Sequence, residues 1–206
     1  MAPAAFSLRS AQLSFRQDEW PDRLTYLENY ISEDEADRLV QEIDAATWRT
    51  DLKRRVQHYG YRYDYKARQA RREDYLGPLP ELFQELAEQL TAEDHFQTVP
   101  DQVIVNEYQP GQGISAHIDC QPPCFGETIA SLSLLSACVM RFASQCSSQQ
   151  TELHLQPASL LVLKGDARHM WTHSIPFRKA DVFEGQKHVR SRRISLTFRT
   201  MKFENP

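Results

Sequence analysis

The 206-residue sequence predicts an α+β domain in which two early helices precede a jelly-roll core, a double-stranded β-helix. Two patterns and one absence predict it. Apolar residues recur at helical spacing in Ala36, Leu39, Val40 and Ile43, and again in Leu82, Phe83, Leu86 and Leu90. From Gln102 onward the chain breaks into short stretches rich in Val, Ile, Thr, Phe and Leu, several of them alternating and separated by Gly, Pro or polar turns. No internal repeat or low-complexity linker divides the chain, so one domain over 1–206 is expected, with helices and a basic Tyr-rich segment in 1–100 and the β core in 101–203.

The first helix is expected to open at Ser32-Glu-Asp-Glu, where Ser32 can cap the free N–H groups and the acids suit the positive end of the helix dipole. The second is expected over Pro80–Leu90. Between them HYGYRYDY alternates Tyr with other residues and reads as a hairpin outside the core. QVIVNEY, TIASLSL, CVMRFAS, TELHLQ, SLLVLKG, MWTHSI and RISLTFRTMKF are the expected core strands.

Composition narrows the class. Apolar residues make up 41% of the chain, enough to fold rather than remain disordered. No run of 18 apolar residues predicts a membrane-spanning helix, and MAPAAFSLRSAQLSF lacks the layout of a secretory signal. Cys120, Cys124, Cys138 and Cys146 do not resemble a secreted disulfide framework, so free thiols in a cytoplasmic or nuclear monomer are expected. The net charge of −4 argues against wholesale phosphate binding, yet from Arg49 to Arg72 nine Lys and Arg stand against two Asp. Such a strip is either a nucleic-acid contact or a solvated basic face.

The stretch NEYQPGQGISAHID places His117 and Asp119 two residues apart, so in extended backbone both project to one side. Two His and one carboxylate on one face hold iron(II) and leave positions open for other ligands. The third ligand must come from a distant strand; His169 and His173 flank Met-Trp-Thr near one. In the last strand, Arg193 and Arg199 stand an even six residues apart and share a face. Two inward guanidiniums demand anions, and a small dicarboxylate supplies them; the alternative is an outward face on an edge strand.

NEYQPGQGISAHID, SLSL, WTHSI and RISLTFR, in this order from about Pro100 to Arg199, resemble the AlkB-type iron(II)/2-oxoglutarate dioxygenases. The resemblance implies that His117, Asp119 and His173 hold iron(II). It implies that Arg193 pairs with the distal carboxylate of 2-oxoglutarate and that Arg199 lies near its metal-coordinating carboxylate. Asn106 and Tyr108 would add hydrogen bonds, as would Ser195, which stands where the family often has Asn. With O2, such an enzyme hydroxylates a C–H bond, and an N-methyl group so hydroxylated is lost as formaldehyde.

RRVQHYGYRYDY resembles the family's nucleotide-recognition lid. Lys53, Arg54, Arg55 and Arg62 would meet phosphates, and Tyr59, Tyr61 or Tyr63 would stack on a base; alternatively the Tyr rings pack on the core. Trp171 is a candidate wall of the base pocket. Gln121 falls where several DNA-repair relatives carry an acid that helps read the base. The first functional expectation is therefore an oxidative demethylase of alkylated bases, of the 1-methyladenine and 3-methylcytosine type, in single-stranded DNA or RNA. The alternative is a tRNA wobble-uridine side-chain hydroxylase, to whose AlkB-type domain RRVQHYGY and EYQPGQGISAHID are similar. Further readings are a protein side chain as substrate, a non-catalytic jelly-roll binding module, and a structural zinc site of His117, Cys120, Cys124 and His173.

Overall fold

The computed structural model describes residues 11–12, 20–50, 52–65, 67, 69–120 and 124–203. The order along the chain is β1 (Ala11–Gln12), β2 (Leu24–Glu28), α1 (Glu33–Ala45), β3 (Val56–Tyr59), α2 (Glu81–Ala92), β4 (Gln102–Tyr108), β5 (Ile114–His117), β6 (Phe125–Leu134), β7 (Cys138–Ser144), β8 (Gln150–Leu155), β9 (Leu160–Leu163), α3 (Gly165–His169), β10 (Trp171–Ile175), β11 (Ala180–Phe183), β12 (Gln186–Val189) and β13 (Arg193–Met201). A major sheet runs β1-β2-β9-β6-β13-β4-β3, a minor sheet β5-β10-β7-β8, and β11 pairs with β12 alone. Every pairing is antiparallel, as the jelly-roll pattern requires.

Alternation along β13 separates two cores. Ile194, Leu196 and Phe198 pack with Leu39 and Ile43 of α1 and Phe83, Leu86 and Leu90 of α2. Arg193, Ser195, Thr197 and Arg199 point the other way, into the space lined by both sheets. The second core fills that space with Phe125, Ile129, Leu161 and Leu163 of the major sheet against Met140, Phe142, Leu153 and Ile175 of the minor one. The polar face of an otherwise apolar central strand is thus aimed inward, where burying it without partners would be costly.

Ser32 caps α1 as expected. Its hydroxyl accepts from the Glu35 N–H while the Glu35 carboxylate accepts from the Ser32 N–H, a reciprocal capping box. The Tyr-rich segment departs from expectation. Its first residues form β3, an edge strand hydrogen-bonded to β4 with Val56 opposite Asn106 and Tyr59 opposite Val103. Val56 is fully buried, which explains why this stretch joins the sheet rather than standing apart as a hairpin. Sequence patterning also passed over β2, β5, the β11–β12 hairpin and α3. The hairpin is anchored by the buried carboxylate of Asp181, which accepts from Arg178 Nε at 2.6 Å, Arg190 Nε at 2.6 Å and the Val139 N–H at 3.1 Å.

Candidate active site

The HxD pair is placed by β5 and the turn before it. Gly111 adopts φ +91°, and at Gly113 a Cβ would stand 2.2 Å from the Ile175 carbonyl oxygen, so β5 can lie this close to β10 only with glycine there. The approach sets His173 of β10 opposite His117 in the ladder, with ring centroids 4.4 Å apart. Asp119 follows two residues after His117, and one ligand atom from each of His117, Asp119 and His173 lies within 4.8 Å of the others. This is the one such His/Cys/Asp/Glu group among the described residues. Neither Cys120 nor Cys124 enters it, so a zinc site built on them has no geometric support.

The protonation states suit a divalent metal. His117 Nδ1 lies 2.8 Å from the Ser115 carbonyl; a carbonyl only accepts, so Nδ1 donates there, and Nε2 is the nitrogen that faces Asp119 Oδ1, at 3.8 Å. Burial pushes His173 down to about 4, with His117, Arg199 and Arg168 adding to the shift against Asp119, which leaves a neutral imidazole at pH 7. Burial opposes ionisation of Asp119, but Arg199, His173, His117 and Arg168 together pull its carboxyl far below the usual range. Two imidazoles and one carboxylate gathered in this way form a facial set suited to iron(II).

These three residues line a cavity of about 360 Å³, to which the polar face of β13 also contributes Arg193, Ser195, Thr197 and Arg199. Arg193 and Arg199 are 3% and 8% exposed, and in each Nε and Nη1 find no partner. Arg193 Nη2 donates to Ser133 Oγ at 2.8 Å, and Arg199 Nη2 to Asp119 Oδ1 at 3.1 Å. Buried guanidinium N–H groups without partners, on residues that line a cavity, call for an anion. Asn106 and Tyr108 of β4 pair in register with Ser195 and Arg193 of β13, so all four line the same cavity. A dicarboxylate fits this donor set, and a metal fits the triad beside it.

The expected substrate residues divide between the cavity, where Tyr63 is among the lining, and other places. Arg54 does line the cavity. Arg55 instead forms a bidentate pair with the buried carboxylate of Glu107, at 2.6 Å for both contacts, and stands over the Trp48 ring. Tyr59 packs edge-on against Phe83 with centroids 4.9 Å apart, on the helix side of the sheet. Tyr61 stacks on Tyr75 and Phe203, outside the cavity lining. Trp171 is 7% exposed in the core between the sheets and does not reach the cavity. Gln121 lies outside the described residues. Arg62 pairs with Asp74 at 2.7 Å, so two of the expected phosphate contacts, Arg55 and Arg62, already have carboxylate partners.

Three contributors were not singled out from sequence. Tyr65 lines the cavity beside Tyr63, and its buried hydroxyl finds no partner; it continues the Tyr alternation by one step. Ser133 braces Arg193. Arg168 of α3, 2% exposed, donates to the Asp119 carbonyl at 2.9 Å and the Cys120 carbonyl at 2.5 Å, clamping the backbone that carries the metal carboxylate. An Arg in GDARH carries no sequence signal of burial.

The 2OG-Fe(II) oxygenase superfamily matches residues 23–199, and the chain belongs to that superfamily as an AlkB-type iron(II)/2-oxoglutarate-dependent dioxygenase. An uncharacterised protein, L905, of Acanthamoeba polyphaga mimivirus is 34% identical over 85% of this chain and 83% of its own length. The alkylated DNA repair protein ALKBH8 homolog of Arabidopsis thaliana is 34% identical over 87% of this chain. The chain spans 58% of that relative. The tRNA (carboxymethyluridine(34)-5-O)-methyltransferase ALKBH8 of Mus musculus is 35% identical over 82% of this chain, which spans 26% of its length. The solved structure of OsALKBH1 superposes with a TM-score of 0.67 at 19% identity, over 92% of this chain and all of that one, a likeness of fold.

The enzyme uses iron(II), 2-oxoglutarate and O2. Together these supply the oxidising chemistry that hydroxylates a C–H bond while 2-oxoglutarate becomes succinate and carbon dioxide. The chain's part is to orient them and to exclude water and wrong partners.

Proposed function

We propose that this dioxygenase hydroxylates a C–H bond on an uncharged nucleobase or base side chain of RNA, with a tRNA wobble uridine as the favoured substrate. The observation that carries the reading is the charge of the cavity. Arg54, Arg193 and Arg199 line it, and Asp119 is the one carboxylate among its described lining residues. A divalent metal and a dicarboxylate dianion cancel each other, so the loaded site keeps a positive balance. A cationic 1-methyladenine or 3-methylcytosine would be repelled here, whereas a neutral uridine would not. This reverses the order of preference that the sequence supported. The relatives named as tRNA (carboxymethyluridine(34)-5-O)-methyltransferases, at 32–35% identity, support the same substrate.

Demethylation is the second reading, restricted to neutral bases. It is favoured by 26% identity, over 86% of this chain, to a protein of Caenorhabditis elegans named a DNA N6-methyl adenine demethylase. Substrate-dependent succinate release separates the readings, using tRNA with carboxymethyl-type wobble uridines and single strands carrying N6-methyladenine or 1-methyladenine. Stimulation by the modified tRNA alone supports the proposal. Formaldehyde from N6-methyladenine favours the second reading, and formaldehyde from 1-methyladenine overturns the electrostatic premise.

A further inference from the structure

The sequence places Arg54 in a phosphate-binding lid, but its side chain has a different address. Arg54 lies two residues before β3, whose Val56 pairs with Asn106 of β4. From there its side chain lines the cavity, and its Nε donates to Asn106 Oδ1 at 2.8 Å. Its guanidinium carbon stands 5.9 Å from the centroid of the Tyr108 ring and 5.8 Å from that of Tyr65. Arg193 approaches the same Tyr108 ring at 5.6 Å, so two cations gather at one tyrosine of the cavity. Neighbouring cations of the strip, Arg55 and Arg62, are instead turned to carboxylates.

A carboxamide has two unlike ends, and which end faces a ligand decides the sign of the contact. With Oδ1 held by Arg54, the Asn106 amide is fixed as a donor toward a carboxylate in the cavity. Turned over, it would set oxygen against oxygen. The Arg54 guanidinium only donates and cannot accept, so it enforces one orientation. We infer that Arg54 is a positioning residue for the cosubstrate: it holds Asn106 in the donor orientation and adds charge at the Tyr108–Arg193 end of the cavity, rather than binding substrate phosphates. This rests on the reading that the cavity receives 2-oxoglutarate and is independent of which base is hydroxylated.

The test is anaerobic titration of the iron(II)-loaded protein with 2-oxoglutarate, without nucleic acid, read by the charge-transfer absorbance of the ternary complex. Arg54→Ala is expected to weaken 2-oxoglutarate by about three- to thirty-fold, the range of one hydrogen bond and its orientation. Arg54→Lys, which keeps the charge and a donor, recovers part of the loss. In a double-mutant cycle, Arg54→Ala is expected to add little once Asn106 is Ala. In turnover the loss appears in the KM for 2-oxoglutarate, with kcat at saturation little changed. Unfolding temperatures of both variants confirm that each remains folded. Unchanged 2-oxoglutarate affinity in Arg54→Ala, or full additivity with Asn106→Ala, overturns the inference. Loss of oligonucleotide binding with a smaller salt slope, and no effect on 2-oxoglutarate, returns Arg54 to the phosphates. A wild-type protein that forms no ternary complex removes the cosubstrate site on which the inference stands, whatever the fate of the wobble-uridine reading.

Discussion

Arg199 Nη2 donates to Asp119 Oδ1 at 3.1 Å, so one side chain expected to face the cosubstrate and one expected to hold the metal form a single ion pair. The pair spans the two sheets' contributions: Arg199 rises from β13 of the major sheet, and Asp119 sits in the turn after β5 of the minor one. Each charge suppresses the cost of burying the other.

Replacing Asp119 therefore does two things. Asp119→Ala and His117→Ala are both expected to lower succinate formation by more than about a hundred-fold through loss of metal. Asp119→Ala alone also leaves Arg199 without its carboxylate, at a cost of about 1–3 kcal/mol to the metal-free fold. Urea denaturation of the two metal-free variants should show Asp119→Ala as the less stable.

Arg193 lines the cavity; two of its nitrogens are buried without a hydrogen-bond partner and the third donates to Ser133. Arg193→Ala is expected to raise the 2-oxoglutarate requirement by about ten- to a hundred-fold, the value of a charge-assisted contact of ~1.5–3 kcal/mol. Steady-state kinetics across 2-oxoglutarate concentration reads the shift directly; an unchanged requirement would assign the anion site elsewhere.

Arg168 reaches the metal set through its backbone, fixing the carbonyls of Asp119 and Cys120. Arg168→Ala should weaken iron(II) by about ten- to a hundred-fold, as removal of groups that orient metal ligands commonly does. Competition with a chromophoric chelator measures it. Retained metal affinity with lowered melting temperature would make Arg168 a packing residue only.

The pH response follows from His173. Its folded pKa is depressed to about 4 from the ordinary 6.5, so the unfolded state binds the proton more readily. The stability this group contributes is present above pH 6.5 and is lost as pH falls from there toward 4. The metal-free protein should melt at lower temperature at pH 5 than at pH 7, and His173→Gln should flatten that difference. An equal drop in the variant would place the sensitivity in another group.

Much of this could be read along the chain, and the exceptions have physical reasons. That His117 and Asp119 share a side, and Arg193 and Arg199 a face, was legible because β geometry turns spacings of two and six into facing. The helices were legible because their caps and apolar stripes are local. Lid residues were not, because the Arg before β3 and the Tyr in and after it alternate between two faces, and which face meets the cavity depends on how β3 pairs with β4. Arg55 faces Glu107, whereas Arg54 faces Asn106. Composition showed a basic strip; only partner geometry shows how far its charge is already spent.

The central claim is that His117, Asp119 and His173 hold iron(II) beside a 2-oxoglutarate site closed by Arg193 and Arg199. Its most direct measurement is the anaerobic absorbance of the purified chain on adding iron(II) and then 2-oxoglutarate, beside His117→Ala and Arg193→Ala. The account predicts a charge-transfer band in the wild type, its loss in His117→Ala, and its recovery in Arg193→Ala only at much higher 2-oxoglutarate. A band of equal strength and affinity in all three proteins would contradict it.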